Sequence, residues 1–188
     1  MLGSRKQTEK QVADGLMRGE ESAMRSFYEM YAGRLAAVCS RYIPDDNDVK
    51  DVLQDSLVKI FSNVSSFSYR GEGSLPAWAS RIVANEALMF LRRKKKLVEK
   101  PVDVLPDVVD DTDPDPAGIP QKELLEMIRR LPDGYRAVFN LYVFGNLSHK
   151  EIGKKLGIAE NSSASQLLRA KRLLRQEIES YRNGRMGR

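Results

Sequence analysis

Residues 97–120 divide this chain. They hold five of its eight prolines, and between residues 101 and 120 six aspartates stand without a single lysine or arginine. Proline removes the amide that a helix or strand needs, and a run of acidic residues has too little apolar surface to offset the entropy of ordering it. The tract therefore reads as an extended or disordered linker, with a domain on either side at about 18–96 and 121–182. Each block of a 188-residue chain cut there buries only a modest core. Charge follows the same division: residues 1–100 carry a net +4, residues 101–120 a net −6, and residues 121–188 a net +7, for a total of +5. Two basic blocks around an acidic strip favour a polyanionic partner, either nucleic acid or an acidic membrane surface.

Both blocks carry helical periodicity, and neither contains a good strand candidate. Met24, Phe27, Tyr28, Tyr31, Leu35, Val38 and Tyr42 recur at steps of three and four until Pro44. The Asp45-Asp46-Asn47-Asp48 cluster predicts a capped helix over about 49–61, with Val49, Val52, Leu53, Leu57, Ile60 and Phe61 on its apolar stripe. Residues 62–75 are rich in Ser and Gly and read as a loop. Pro76 suits the first turn of a third helix, which runs to about Lys96 with Trp78, Ile82, Met89 and Phe90 inward. The second block predicts helices at about 121–130, 135–142, 148–156 and 162–182. The fold class expected is all-α, in two small helical domains.

Several functions lack the residues they need. The lone cysteine, Cys39, sits in an apolar helical pattern, so it reads as a buried inert thiol and fits a reducing cytoplasm. The lone histidine, His149, has no partners at metal-ligand or catalytic spacing and reads as a capping-turn residue. No Walker-type loop is present. No metal, cofactor or catalytic activity is expected, nor a membrane span or secretory signal.

The sharpest local pattern lies between Leu147 and Ile178. Ser148-His149-Lys150-Glu151 forms a capping box, Leu147 and Ile152 a hydrophobic staple, and Gly157 a left-handed stop, with Ile158 packing back beyond it. Asn161 or Ser162 then caps a longer helix. Two short helices joined by a Gly-containing turn make a helix-turn-helix. On the second helix Ser162, Ser165, Gln166, Arg169 and Arg172 fall on one side, and Ala164, Leu167, Ala170, Leu174 and Ile178 largely on the other. Arg bonds guanine bidentately, Gln bonds adenine, and Ser suits phosphate or any base edge. Lys171 and Arg175, at the margins, suit phosphate.

The first block adds a different chemistry. VKDVLQDSLVKIF displays Asp51, Gln54 and Asp55 at one-turn spacing. In FSYRGEGSLPAWASRIVANEALMFLRRKKK, aromatic residues in a Gly/Ser loop precede a helix that ends in five basic residues, Arg92 to Lys96. Rings that stack bases and cations that hold the backbone suit single-stranded DNA. A packing role for Phe67, Tyr69 and Trp78 fits the same pattern.

Taken in order, DVLQDSLVKIF, LPAWASRIVAN, LPDGYRAVFNLYVFGNLSHKEIGKKLGI and SQLLRAKRLLRQ resemble the polymerase-clamp helix, promoter-melting segment and promoter-reading domain of the extracytoplasmic-function sigma factors. The resemblance covers about residues 18–96 and 121–180. It implies a non-enzymatic factor that binds core RNA polymerase and promoter DNA. By it, Asp51, Gln54 and Asp55 face the polymerase clamp. The loop at about 65–74 captures a flipped base of the −10 element, with Phe67, Tyr69, Arg70, Trp78, Arg81, Asn85, Arg92 and Arg93 along the melted strand. The helix from Ser162 reads the −35 element through Ser162, Ser165, Gln166, Arg169, Lys171 and Arg172, and the acidic linker threads a basic channel near the RNA path. Family habit adds an anti-sigma factor as partner. The chain departs from the pattern in two places: Asn161-Ser162-Ser163-Ala164 lacks the usual basic residue of that turn, and Gly153 replaces a usual Ala at some cost in helix propensity. A free-standing helix-turn-helix regulator and a helical module that binds RNA or an acidic protein are the competing readings.

Overall fold

The computed structural model describes residues 7–94 and 113–186, and every regular element among them is helical. Lys95, Lys96 and the part of the linker at 97–112 lie outside the described residues. The chain forms two compact units, divided at Phe90 and Leu91 near the end of the fourth helix.

The first unit contains α1 (Glu9–Met17), α2 (Glu21–Ser40), α3 (Asp46–Ser62), a single 3-10 turn (Val64–Ser66) and α4 (Ser74–Arg93). α1 is an addition to the sequence reading. Thr8 and Gln11 form its capping box, and it buries Val12, Ala13 and Leu16 against α2. The two helices pack so closely that a Cβ on Gly15 would sit 2.6 Å from that of Ala23. From α2 come Phe27, Tyr31, Leu35 and Val38; from α3, Val49, Val52 and Ile60; from α4, Leu75, Ala79, Val83 and Ala87. The Phe27 ring meets Tyr31 at 5.3 Å and Phe61 at 5.7 Å. Asp45 caps α3 by accepting the Asn47 and Asp48 amides, as its acidic cluster predicts. Lys59 on α3 donates to the buried Glu86 of α4 at 2.6 Å. Cys39 is buried, and burial pushes its thiol up to about 12. Two residues assigned inward are exposed. Tyr28 lies off the α2 stripe, and Met89 shares the outer face of α4 with Asn85 and Arg92, four and three residues away.

The second unit contains α5 (Gln121–Arg130), α6 (Asp133–Val143), α7 (His149–Leu156) and α8 (Glu160–Met186). α6 is its centre, buried continuously from Tyr135 to Leu141. Met127, Ile128 and Leu131 pack from one side, Ile152 from α7, and Leu167, Ala170, Leu174 and Ile178 from α8. Arg136 is 1% exposed. Its guanidinium donates to the carbonyls of Arg129 (3.0 Å) and Leu131 (2.6 Å) and to the Asp133 carboxylate. It thereby satisfies carbonyls that the end of α5 leaves without intrahelical donors.

Candidate nucleic-acid interface

The turn between α7 and α8 has the geometry its sequence predicts. Ser148 Oγ accepts the Glu151 amide, and the Glu151 carboxylate accepts the Ser148 amide at 2.8 Å. Gly157 is left-handed at φ 75°, and the amides of Gly157 and Ile158 both reach the Gly153 carbonyl, at 2.8 and 3.0 Å. That return path explains Gly153. A Cβ there would stand 2.8 Å from the Ile158 carbonyl oxygen, so close backbone approach outweighs the helix propensity lost.

α8 begins at Glu160, so Asn161 and Ser162 lie inside the helix rather than capping it. The Ser163 amide bonds the Ala159 carbonyl, and Glu160 places negative charge on the first turn. The core stripe of α8 is Ser163, Gln166, Leu167, Ala170, Leu174 and Ile178. Gln166 is 4% exposed and so cannot read a base edge. It stands one turn from both Ser163 and Ala170, on the inward side. Ala164, expected inward, is exposed. The outward side combines Asn161, Ala164 and Ser165 with the half-buried Ser162, Leu168, Arg169 and Arg172. Asn161, expected as a cap, and Leu168, which the spacing assigned to neither side, join that face.

His149 has more than a turn residue's role. Its Nδ1 lies 3.0 Å from the buried Ser163 Oγ, and its ring stacks on Tyr142 at 4.9 Å and 18°. It thus ties the start of α7 to both α6 and α8. Among the described residues no cluster of His, Cys, Asp or Glu is arranged to hold a metal.

Lys171 does not stand open at the margin of α8. Its Nζ lies 2.7 Å from Asp113 of the linker. Farther along, Arg182 donates to the Asp115 carboxylate at 2.9 Å and to the carbonyls of Asp115 and Ala117 at 3.0 Å. The Ala117 amide and Arg182 together hold the Asp115 carboxyl below its ordinary value. The described end of the linker, read as structureless from composition, is therefore laid along α8.

In the first unit, Asp51, Gln54 and Asp55 are exposed along α3. Val58, 61% exposed, extends that stripe by one turn. It could have been found as an apolar residue seven positions from Asp51 and off the inward stripe. Beyond α3, Phe67 is 7% exposed, with its ring 5.2 Å from Trp78 and tilted by 47°. It packs inside the unit and is not presented to a strand, whereas Tyr69 is half-buried and Arg70 exposed. Gly71 and Gly73 take φ of 111° and 87°, and Ser74 Oγ closes the loop by donating to the Gly71 carbonyl and accepting the Arg70 amide. Glu9 of α1 reaches the foot of this loop. Its carboxylate accepts the amides of Gly73 (2.7 Å) and Leu75 (2.9 Å) and, at 3.4 Å, the Tyr31 hydroxyl. Burial, followed by the nearby Glu9 charge, pushes Tyr31 up to about 12. Arg81, Asn85, Arg92 and Arg93 are exposed on α4.

Comparison with known families matches residues 27–97 to Sigma-70 region 2 and residues 121–174 to Sigma-70, region 4. The chain is 23% identical over 185 residues to the ECF RNA polymerase sigma-E factor of Haemophilus influenzae, covering 92% of this chain and 96% of that one. It is 29% identical over 160 residues to the RNA polymerase sigma factor SigZ of Bacillus subtilis, covering 83% and 87%. Among solved structures it is similar to the sigma factor RpoE of Bartonella quintana in complex with the anti-sigma factor NepR, at 18% identity and a TM-score of 0.49, covering 82% of this chain and 96% of that one. A helix-turn-helix with arginines on its outward face, in a chain whose other unit carries a helix with Arg92 and Arg93 in its last turn, defines a DNA-binding transcription protein. The chain belongs to the sigma-70 family, in its extracytoplasmic-function group, and directs transcription initiation by binding core RNA polymerase and promoter DNA.

Proposed function

We propose that the two units divide promoter recognition between duplex and opened strand. In the second unit the outward side of α8 enters the major groove of the −35 element. Arg169 and Arg172 are placed for base edges, and Ser162 and Ser165 for bases or phosphates. One good bidentate arginine contributes about 1–3 kcal/mol of discrimination. In the first unit Tyr69, Arg70 and Trp78 hold the −10 element's non-template strand, with Arg81, Asn85, Arg92 and Arg93 along its backbone. Extruding a base costs a few kcal/mol, and stacking returns about 1–3 kcal/mol per base, so polymerase contacts complete the balance. Asp51, Gln54, Asp55 and Val58 form the face toward the polymerase clamp. The protein works by binding and not by covalent chemistry, in the cytoplasm, and an anti-sigma protein restrains it, as NepR accompanies the Bartonella protein.

The observation that carries this reading is the outward placement of Ser165, Arg169 and Arg172 on a properly capped helix-turn-helix. Reconstitution with its host's core polymerase on genomic DNA, followed by mapping of transcript starts, tests it. Discrete starts that share two spaced elements are expected. Failure to bind polymerase, or duplex binding without initiation, overturns it in favour of a free-standing regulator.

A further inference from the structure

We propose that Glu9 is a positioning residue for the −10 loop: the first helix contributes a carboxylate that fixes the head of α4 and the path of the segment carrying Tyr69 and Arg70. The inference rests on the reading of that loop as a −10 contact, and it lies outside the residues matched to region 2, which begin at 27.

The head of α4 needs an outside acceptor. A helix start leaves its first amides without partners. The nearest hydroxyl, Ser74 Oγ, is turned away to the Gly71 carbonyl and the Arg70 amide. Glu9 fills the gap from 64 and 66 residues away, with one oxygen on Gly73 and the other on Leu75. It is 9% exposed, so little water competes for either bond. A carboxylate also complements the positive end of the helix, and its bonds are charge-assisted.

The loop itself is poorly determined by local preference. Gly71 and Gly73 sit at positive φ, where a glycine backbone has many alternatives. Anchoring Gly73 from α1 removes that freedom at one end, while Phe67 packed against Trp78 anchors the other. Between the two anchors lie residues 68–72, Tyr69 and Arg70 among them. α1 is in turn placed by its close approach to α2 at Gly15 and Ala23. Tyr31 of α2 supplies a hydroxyl that orients the same carboxylate.

The test uses the full chain assembled with core polymerase and an oligonucleotide carrying the −10 non-template strand of a promoter mapped as above. Glu9→Gln keeps the side chain's size but removes its charge and one acceptor. It is expected to weaken oligonucleotide binding about tenfold, to leave polymerase affinity within about twofold, and to speed amide exchange at Gly73 and Leu75. Glu9→Ala is expected to do more of the same, and if it unfolds the first unit, Glu9→Gln decides. Faster exchange with unchanged oligonucleotide affinity overturns the proposal, because the bonds would then serve the fold alone. Equal losses of polymerase and oligonucleotide affinity overturn it too. If the wild-type holoenzyme fails to bind the oligonucleotide, the −10 reading itself falls; if the wild type binds and Glu9→Gln binds equally well, only the role of Glu9 falls.

Discussion

Phe67 packs its ring 5.2 Å from that of Trp78, tilted by 47°, and so secures the start of the loop to the helix that follows it. Aromatic residues two positions apart thereby acquire different roles, Phe67 inside and Tyr69 at the surface. Phe67→Ala should cost about 3–5 kcal/mol of stability in the first unit. Tyr69→Ala should leave the thermal midpoint nearly unchanged and weaken −10 strand binding by about 1–3 kcal/mol. Trp78 is the chain's only tryptophan, so its fluorescence follows both the melt and the strand titration. Equal effects of the two substitutions on stability would refute the division.

On α8 the parallel contrast is between Gln166 and Arg169. Gln166→Ala is expected to lower the unfolding midpoint of the second unit without altering promoter preference. Arg169→Ala is expected to spare stability and to cost roughly 1–3 kcal/mol at the correct −35 element. Competition between promoter variants in a gel-shift titration, beside denaturant melts of each variant, separates the outcomes.

Gly153→Ala would ordinarily stabilise a helix by up to about 1 kcal/mol. Here the added methyl meets a backbone carbonyl at 2.8 Å, which cannot rotate away as a side chain can. The expected net effect is a loss of roughly 1–3 kcal/mol. A raised thermal midpoint would show that the turn relaxes more cheaply than this contact implies.

The first unit should weaken in alkali. Burial pushes Cys39, Tyr42 and Tyr31 each up to about 12, above the ordinary values of 9.0 for a thiol and 10.0 for a phenol. The unfolded chain loses these protons first. The stabilisation is therefore complete below about pH 9 and fades as pH climbs toward about 12. Thermal midpoints measured across that range should fall, and less steeply in Tyr42→Phe. Native Cys39 should also resist alkylation at neutral pH.

Most helices were legible from periodicity, and the helix-turn-helix was legible in detail because its stops and caps are local chemistry: Ser148 with Glu151, and Gly157. The misassigned residues depend on information that spacing does not carry. Gln166 sits about 40° from Ala170 around the helix, at the border of the apolar stripe, and only the packing of α8 on its neighbours takes it inward. Phe67 is buried by a residue eleven positions away. α1 escaped notice because its apolar face is three small or medium residues, although Thr8 and Gln11 already spelled its capping box. Lys171 has the composition of a phosphate contact, and only the fold brings Asp113 to it.

The carboxylate that α1 sends to the head of α4 bears on how proteins like this are dissected. A fragment cut at residue 27, where the match to Sigma-70 region 2 begins, would retain α3, α4 and the last fourteen residues of α2. Its Gly73 and Leu75 amides would have lost their acceptor. Weak strand binding by such a fragment would then measure the surgery and not the natural affinity of the promoter-opening surface.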